Sequence, residues 1–233
     1  MMREELTELL GGLKRTMNAL ADLIVLNILM LVCALPIITA GAAIVASYTC
    51  ILRVLRGGET AFPVKAFFAA FRTALPKATR MWLLVLLCVV IVAGDYYYAV
   101  YLSSPPNRFF LVFAIVMAVL LMLTGVWLFP LMARYENTLR GHIKNAVLMA
   151  VALFPKTLTA LLIQLCFYAL PFFVPAIFLY LGWLWLLMGL TLPMYCTALL
   201  FRKELACVPI LPDDTPVQSD DKTEPAQKDD RLV

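Results

Sequence analysis

The chain has 233 residues, of which 63% are hydrophobic and only 15% are charged, with a net charge of +4. A soluble domain has about half apolar and about a quarter charged residues, so this composition argues against a soluble all-α protein. The positive charge lies beside long apolar runs, where it indicates membrane topology and contact with the lipid bilayer and not nucleic-acid binding.

The chain divides into three predicted regions. Residues 1–18 place leucines at helical spacing and predict an amphipathic helix at the membrane surface. Because this segment contains acidic residues and more apolar runs follow it, we expect an uncleaved first span and not a signal peptide. Residues 19–203 form the predicted transmembrane domain, and residues 204–233 predict a disordered acidic tail.

The apolar stretch Ala19–Leu55 is too long for one span, because about 20 residues cross the hydrocarbon core. Pro36 and Gly41 lie in its middle. Proline removes an amide donor and clashes with the preceding turn, and glycine permits a tight reversal. These residues predict a helical hairpin, with spans at about residues 19–35 and 39–55. A single kinked and strongly tilted helix is the alternative.

The remaining sequence predicts four further spans and two polar connectors. Basic residues and phenylalanines alternate within residues 56–80 and predict an amphipathic helix along the membrane interface, and residues 134–156 form the second connector. The later spans are predicted at residues 81–101, 109–133, 157–174 and 177–201. The predicted fold is therefore an all-α, polytopic transmembrane helical bundle of about six spans with amphipathic cytoplasmic connectors.

The basic residues predict the orientation. Of the 19 Lys and Arg residues, all except Arg108 fall in segments that six spans place on one side of the membrane. Positively charged segments stay on the cytoplasmic side, so we expect a multi-pass protein of the bacterial plasma membrane with both termini in the cytoplasm. A five-span chain would place some of these basic segments outside.

The two connectors also resemble each other in sequence. This similarity predicts that spans 2–3 and 4–5 form a parallel repeat. Two basic amphipathic connectors also look alike through composition alone, so both interpretations stay open. The paired segments are Val64-Lys65-Ala66 with Ile143-Lys144-Asn145, and Leu75-Pro76-Lys77 with Phe154-Pro155-Lys156.

Several of these segments resemble a known family. They are Leu23-Ile24-Val25-Leu26-Asn27, Leu35-Pro36-Ile37-Ile38-Thr39-Ala40-Gly41-Ala42, Leu52-Arg53, Leu55-Arg56-Gly57, Phe67-Phe68, Lys77-Ala78-Thr79, Pro130-Leu131, Ala133-Arg134-Tyr135, Asn137-Thr138 and Lys144-Asn145-Ala146. Together they are similar to the YesL-like family of bacterial integral membrane proteins, also catalogued as the domain of unknown function DUF624. The resemblance covers roughly residues 15–200 and excludes the acidic tail.

The resemblance implies no catalytic residues, because the family has no established biochemical activity. Its members are associated with carbohydrate-uptake gene clusters in Gram-positive bacteria. The resemblance therefore implies an accessory role beside a membrane transporter subunit for sugars, or a role as a sensor.

Three polar residues within the spans are candidate binding residues. Asn27 lies deep in span 1, and we favour a contact between helices over a ligand contact, because an amide in lipid needs a partner. Gln164 lies in the middle of span 5 and could line a cavity or bond Asn27 or Thr124. Asp95 is a functional candidate as an intramembrane acid, but its shallow depth favours placement at the outer interface.

Arg134 and Asn137 begin the second connector and are candidates for binding phosphate headgroups or a cytoplasmic partner. We favour an ordinary topological role for them. No enzymatic motif occurs, His142 is the only histidine and no C-x-x-C pair is present. We therefore predict no enzymatic activity, no metal, no cofactor and no disulfide framework.

Two functions remain open from the sequence. The first is an accessory or interaction protein, which small residues at Gly41 and beyond and the basic connectors favour. The second is a small secondary transporter or channel, which predicts a cavity near the membrane midplane lined by Asn27, Gln164 or Thr191. The sequence leaves the oligomeric state open.

Overall fold

A computed structural model describes residues 2–55, 63–102, 107–173, 182–183 and 185–207. Within these ranges the protein is helical and contains no strand, which confirms the predicted all-α class. A 3-10 turn, Ile37–Thr39, and a π-helical turn, Tyr98–Leu102, accompany the helices. The helices are α1 Met2–Ala34, α2 Ala40–Leu55, α3 Pro63–Tyr97, α4 Arg108–Arg134, α5 Leu139–Ala152, α6 Phe154–Phe173, α7 Thr191–Phe201 and α8 Glu204–Cys207.

Four helical segments are long and apolar enough to cross a membrane, and a fifth is gained if α5 and α6, which meet at 101°, count as one broken span. The four are Met17–Ala34, Ile37–Leu55, Val64–Leu102 and Arg108–Arg134. This confirms a polytopic helical protein but not the predicted number of six spans. The sixth predicted span, residues 177–201, falls partly outside the described residues, and α7 within it has only 11 residues.

The first two spans form a hairpin, as Pro36 predicts. Helix α1 ends at Ala34, the chain reverses through the 3-10 turn, and α2 packs back against α1. The Thr39 hydroxyl donates to the carbonyl of Cys33 at 2.7 Å and to that of Pro36 at 2.9 Å. The Thr39 side chain therefore satisfies the Cys33 carbonyl, which the end of α1 leaves without a helical partner, and also bonds within the turn.

Two predicted surface helices are not separate elements. Helix α1 runs without a break through the boundary predicted at residue 18. Helix α3 likewise joins residues 63–80 to the following span, with Pro76 inside it, whereas residues 56–62 lie outside the described part. The prediction of a separate helix was wrong for residues 63–80, because α3 continues through residue 80, and Phe67 and Ala78 on this part of α3 are buried against protein.

Helix α3 extends well beyond the α1–α2 turn. The Trp82 indole nitrogen donates to the Ile37 carbonyl at 2.7 Å, and the Trp82 ring lies 6.0 Å from that of Phe129 on α4. From Trp82 to Leu102, α3 continues for roughly 20 residues, or about 30 Å at 1.5 Å per residue. We call residues 83–102 and 108–125 the outer hairpin, and the other described residues from 17 onward the inner bundle.

The two parts differ in burial. In the span Ile37–Leu55 of the inner bundle, 56% of the most apolar 18-residue stretch is buried within the protein. The corresponding share is only 6% in Val64–Leu102 and 11% in Arg108–Arg134. The outer hairpin exposes large aliphatic side chains on many sides, which suits contact with lipid. Those exposed by half or more include Leu87, Val90, Ile91, Val112, Ile115 and Met122.

Helices α5, α6 and α7 close the inner bundle. Trp127 of α4 is fully buried and stacks on Phe201 of α7 with ring centroids 3.7 Å apart. Its indole nitrogen donates to the Thr157 hydroxyl of α6 at 2.8 Å. One tryptophan thus links three helices through ring stacking and a buried hydrogen bond.

Candidate functional site

Asn27 fills a break in the last apolar segment. Its amide oxygen accepts from the backbone nitrogens of Leu190 at 3.1 Å and Thr191 at 3.0 Å, and its amide nitrogen donates to the Leu186 carbonyl at 2.6 Å. The first amides of a helix have no intrahelical acceptor, so Asn27 of α1 caps the start of α7 from another helix. Asn27 is fully buried, and the predicted contact between helices is confirmed.

Gln164 of α6 and Asn27 of α1 both bond to α7, and we call the hydrogen-bonded residues around them the polar layer. The partners of Gln164 differ from Asn27 and Thr124, the two predicted from the sequence. Its amide nitrogen donates to the Tyr48 hydroxyl and the Thr197 hydroxyl, both at 3.4 Å. Neither Asn27 nor Thr124 is among these partners: Asn27 bonds to residues 186–191, and the Thr124 hydroxyl donates to the Leu120 carbonyl of its own helix. The sequence could not identify Tyr48 and Thr197, since both come from helices distant in the chain.

The polar layer is filled by the chain's own side chains. Asn27, Thr191 and Thr197 are 0% exposed, and the Thr191 hydroxyl donates to the Leu23 carbonyl at 3.0 Å. Within the described part of the chain, hydrogen bonds of Asn27, Gln164 and Thr191 join α1, α2, α6 and α7, whereas the buried Ser47 hydroxyl beside Tyr48 has no partner there. The midplane cavity expected around these residues stays a prediction.

Asp95 lies in the outer hairpin, far along α3 from the inner bundle. It is half-exposed and directly precedes three exposed tyrosines, Tyr96, Tyr97 and Tyr98. Tyrosine rings suit the membrane interface, so this neighbourhood is consistent with the interfacial position predicted for Asp95. The structure does not bring Asp95 together with the other candidate residues, and its role stays a prediction.

Asn137 shapes the turn between α4 and α5. Its side-chain oxygen accepts from the backbone nitrogen of Thr138 at 2.5 Å, and the Thr138 hydroxyl caps α5 by accepting from the nitrogen of Gly141 at 3.2 Å. A Cβ atom at Gly141 would lie 2.4 Å from that side-chain oxygen of Asn137. A larger residue at position 141 would therefore displace the Asn137 amide from the turn, and Asn137 has a local structural role.

A cavity of about 560 Å³ lies between α2, α3, the end of α4 and the start of α5. Its α3 wall consists mainly of alanines, whose three- and four-residue spacing places them along one face of the helix. Methyl side chains leave unfilled the space that larger residues would occupy. These alanines are Ala66, Ala69, Ala70, Ala74 and Ala78.

Three cations from three helices line this basic cavity: Arg53 of α2, Lys77 of α3 and Arg134 of α4. Glu136 also lines it, but its side chain is 89% exposed and lies 4.0 Å from the Lys77 ammonium at the rim. The Arg134 Nε atom is buried and has no hydrogen-bond partner within the described part of the chain. The residues that line the cavity therefore carry a net positive charge, and one of them, Arg134, has a buried donor without a partner there.

The arrangement suits binding of an anion. Guanidinium and ammonium groups from separate helices bind carboxylates or phosphates, and the volume is that of a small-molecule site. In the described ranges, no group of three His, Cys, Asp or Glu residues could hold a metal ion.

The sequence identified Arg134 but missed Arg53 and Lys77 as its neighbours. Both were interpreted only as charges that set topology. The sequence did contain a signal, the regular spacing of alanines in residues 66–78 between basic residues. Such a helix face carries only methyl groups and leaves space beside it unfilled.

The family described as "Protein of unknown function, DUF624" matches residues 23–96 of the chain. The matched residues include the Pro36 turn, all of α2 and most of α3, and therefore the Arg53 and Lys77 sides of the basic cavity. Arg134 lies outside the match. Neither the curated proteins nor the solved structures include a significant match to the chain.

Proposed function

We propose that this chain is an accessory protein of the bacterial plasma membrane that acts beside a carbohydrate-uptake transporter and does not itself carry the solute. The observation that supports this proposal most directly is the set of internal hydrogen bonds around Asn27 and Thr191. Asn27 and Thr191, deep in the inner bundle, use their polar atoms on other parts of the same chain.

A transporter typically holds its substrate near the membrane midplane, between helices that open alternately to each side. Here the polar groups that could form such a site bond to each other and to backbone. The basic cavity lies instead among the connectors, beside residues that the positive-inside rule assigns to the cytoplasm. This arrangement favours recognition from one side over passage between two sides.

The small residues once taken to favour a partner surface have a different role. Gly41, Ala42, Ala43 and Ala46 are buried within the inner bundle, where they let helices approach closely. These buried positions therefore do not form an exposed surface for a partner protein. The outer hairpin carries the extended apolar surface through which the protein would meet lipid and neighbouring membrane proteins.

A small secondary transporter is the second candidate, and the break before α7 favours it. Helices interrupted within the membrane often mark substrate sites in transporters, and here the break at Gly189–Leu190 is capped by Asn27. Opening that cap would expose backbone amides within the bundle.

The test is affinity isolation of the tagged full chain from its native membrane in mild detergent. We expect sugar-transporter permease subunits to be recovered with it. A deletion strain should grow more slowly on the sugar that this transporter imports and normally on other carbon sources.

Recovery of the chain alone, under conditions in which a control transporter complex stays assembled, would contradict the accessory role. Uptake assays with the purified chain in liposomes distinguish the second candidate. Sugar accumulation by liposomes that contain only this chain would establish transport in its own right.

A further inference from the structure

We propose that the basic cavity binds a phosphate ester, with the phosphate between Arg53, Lys77 and Arg134 and the organic part against the alanine wall of α3. This inference concerns the ligand of the cavity, and it stands whether or not a transporter partner is found. Its evidence is the charge, the unsatisfied donor and the volume of the cavity.

The charge distribution favours an anionic ligand. Three cations face a cavity in which Glu136 is the one carboxylate among the described lining residues. The contact between Lys77 and Glu136 is long and exposed, with side-chain exposures of 54% and 89%, so it contributes little stability. A bound dianion would compete effectively with Glu136 for the lysine.

Arg134 supplies the most specific feature. Its Nε is buried and has no hydrogen-bond acceptor among the described residues. Its guanidinium lies 5.7 Å from the centre of the Tyr135 ring, and the Tyr135 hydroxyl in turn donates to the Leu205 carbonyl. A tethered aromatic ring thus lies beside the guanidinium of Arg134, which is one of the cavity-lining residues and carries donors suited to phosphate oxygens.

The volume indicates more than a bare ion. A cavity of about 560 Å³ falls within the range of small-molecule sites. Its alanine methyl groups form an apolar wall that needs no hydrogen-bond partner. A phosphate ester satisfies both parts, because its phosphate meets the cations and its carbon portion contacts the alanines. Two sources share this chemistry: the headgroup of an anionic phospholipid and a soluble phosphorylated metabolite.

The experiment uses the purified full chain in nanodiscs. In the first arm the nanodiscs contain only phosphatidylcholine, and glycerol 3-phosphate is added during calorimetry and thermal unfolding, with glycerol as the uncharged control. In the second arm phosphatidylglycerol replaces part of the lipid, and native mass spectrometry measures how many lipid molecules stay bound. Saturable binding in the first arm indicates a soluble ligand, and selective retention in the second indicates a lipid.

The matched variants are Arg134→Gln and Lys77→Gln in the cavity and Arg72→Gln outside it. We expect each cavity variant to weaken binding at least tenfold, whereas Arg72→Gln, which removes the same charge from an exposed position of α3, changes it less than twofold. Ala70→Leu should block the ester by filling the cavity, and Ala93→Leu on the exposed outer hairpin is its control.

Absence of binding in both arms would overturn the proposal. Equal weakening by Arg72→Gln and Arg134→Gln would also overturn it, because the effect would then come from net charge and not from the cavity. Lys77→Gln changes an exposed side chain, so it keeps the test decisive even if Arg134→Gln or Ala70→Leu fails to fold.

Discussion

Helix α3 passes through two environments, and its two halves differ in the residues they use. Residues 63–82 belong to the inner bundle, where their alanines and Phe67 pack against α2 and the other helices of the bundle. Residues 83–102 present leucine, valine, isoleucine and tyrosine outward and are largely exposed. The difference shows that one continuous apolar helix can be packed against other helices in its first half and largely exposed in its second.

The physical basis of the contrast is how helices associate in a membrane. Lipid chains are as apolar as leucine, so helices gain most from close packing of small residues and from hydrogen bonds between helices. The inner bundle has both, in Gly41 and in Asn27. The outer hairpin has large aliphatic residues that contact lipid equally well, so we expect it to tolerate substitution.

The largest effect is expected for Asn27→Leu. This change leaves two backbone nitrogens at the start of α7 and the Leu186 carbonyl without their partner, and we expect a loss of about 2 to 4 kcal/mol of stability. Unfolding of the purified chain in mixed micelles measures it. Asn18→Leu, an exposed position on the same helix, is the control, and an equal loss in both variants would show that Asn27 is not a special contact.

A pair of glycine substitutions compares the two regions directly. A Cβ atom at Gly41 would lie 2.4 Å from the Cβ of Trp82, whereas one at Gly94 in the outer hairpin would meet nothing within 4 Å. We expect Gly41→Ala to destabilise the protein by about 1 to 3 kcal/mol and Gly94→Ala to be neutral or slightly stabilising. Similar thermal unfolding curves for the two variants would contradict the division between bundle and hairpin.

Trp82→Phe sharpens the position of the boundary. It removes the indole hydrogen bond to the Ile37 carbonyl and keeps an aromatic ring beside Phe129, so we expect a loss of about 1 kcal/mol. Trp183→Phe, at a side chain that is 65% exposed, is the control for loss of an indole. Unchanged stability in Trp82→Phe would mean that the α1–α2 turn is not fixed to α3 through this bond.

The smallest effect is expected from pH, at the end of the inner bundle. Burial raises the pKa of the Glu204 carboxyl, but the hydrogen bond and charge of Lys156 outweigh it, so the pKa lies below its ordinary value of 4.5. Because the folded pKa is the lower one, the ion pair stabilises the protein above pH 4.5 and its contribution is lost as pH falls through the folded pKa.

The contribution of this pair should be less than about 1 kcal/mol, since Lys156 is partly exposed. Thermal unfolding of wild type and Glu204→Gln should therefore differ at neutral pH and converge in acid. Glu136→Gln at the exposed rim is the control. A difference between wild type and Glu204→Gln that persists in strong acid would rule out the ion pair as its cause.

The family match includes the most predictable part of the chain. Pro36 and Gly41 predicted the hairpin because proline and glycine restrict the backbone locally, wherever the rest of the chain lies. The proposed orientation follows from the same kind of local information, the distribution of Lys and Arg. Whether both termini are cytoplasmic stays a prediction that reporter fusions at each terminus can test.

Sequence reasoning was wrong where the outcome depended on what a surface faces. The periodicity of basic residues and phenylalanines in residues 63–80 is the same whether Phe67 contacts lipid or α2. The sequence therefore predicted a separate interface helix, whereas these residues form the first half of α3. For the same reason, Arg53 and Lys77 looked like topological charges until the structure placed them around one cavity with Arg134.

By itself, the sequence determined the helical membrane class, the reversal at Pro36 and the need of Asn27 for a partner. These follow from composition, backbone restriction and the cost of an unsatisfied amide, all of which are local properties. Only the tertiary structure decided that Asn27 caps α7, that Gln164 bonds Tyr48 and Thr197, and that three distant cations share a cavity. Those contacts join helices far apart in the chain, and they depend on how the helices pack.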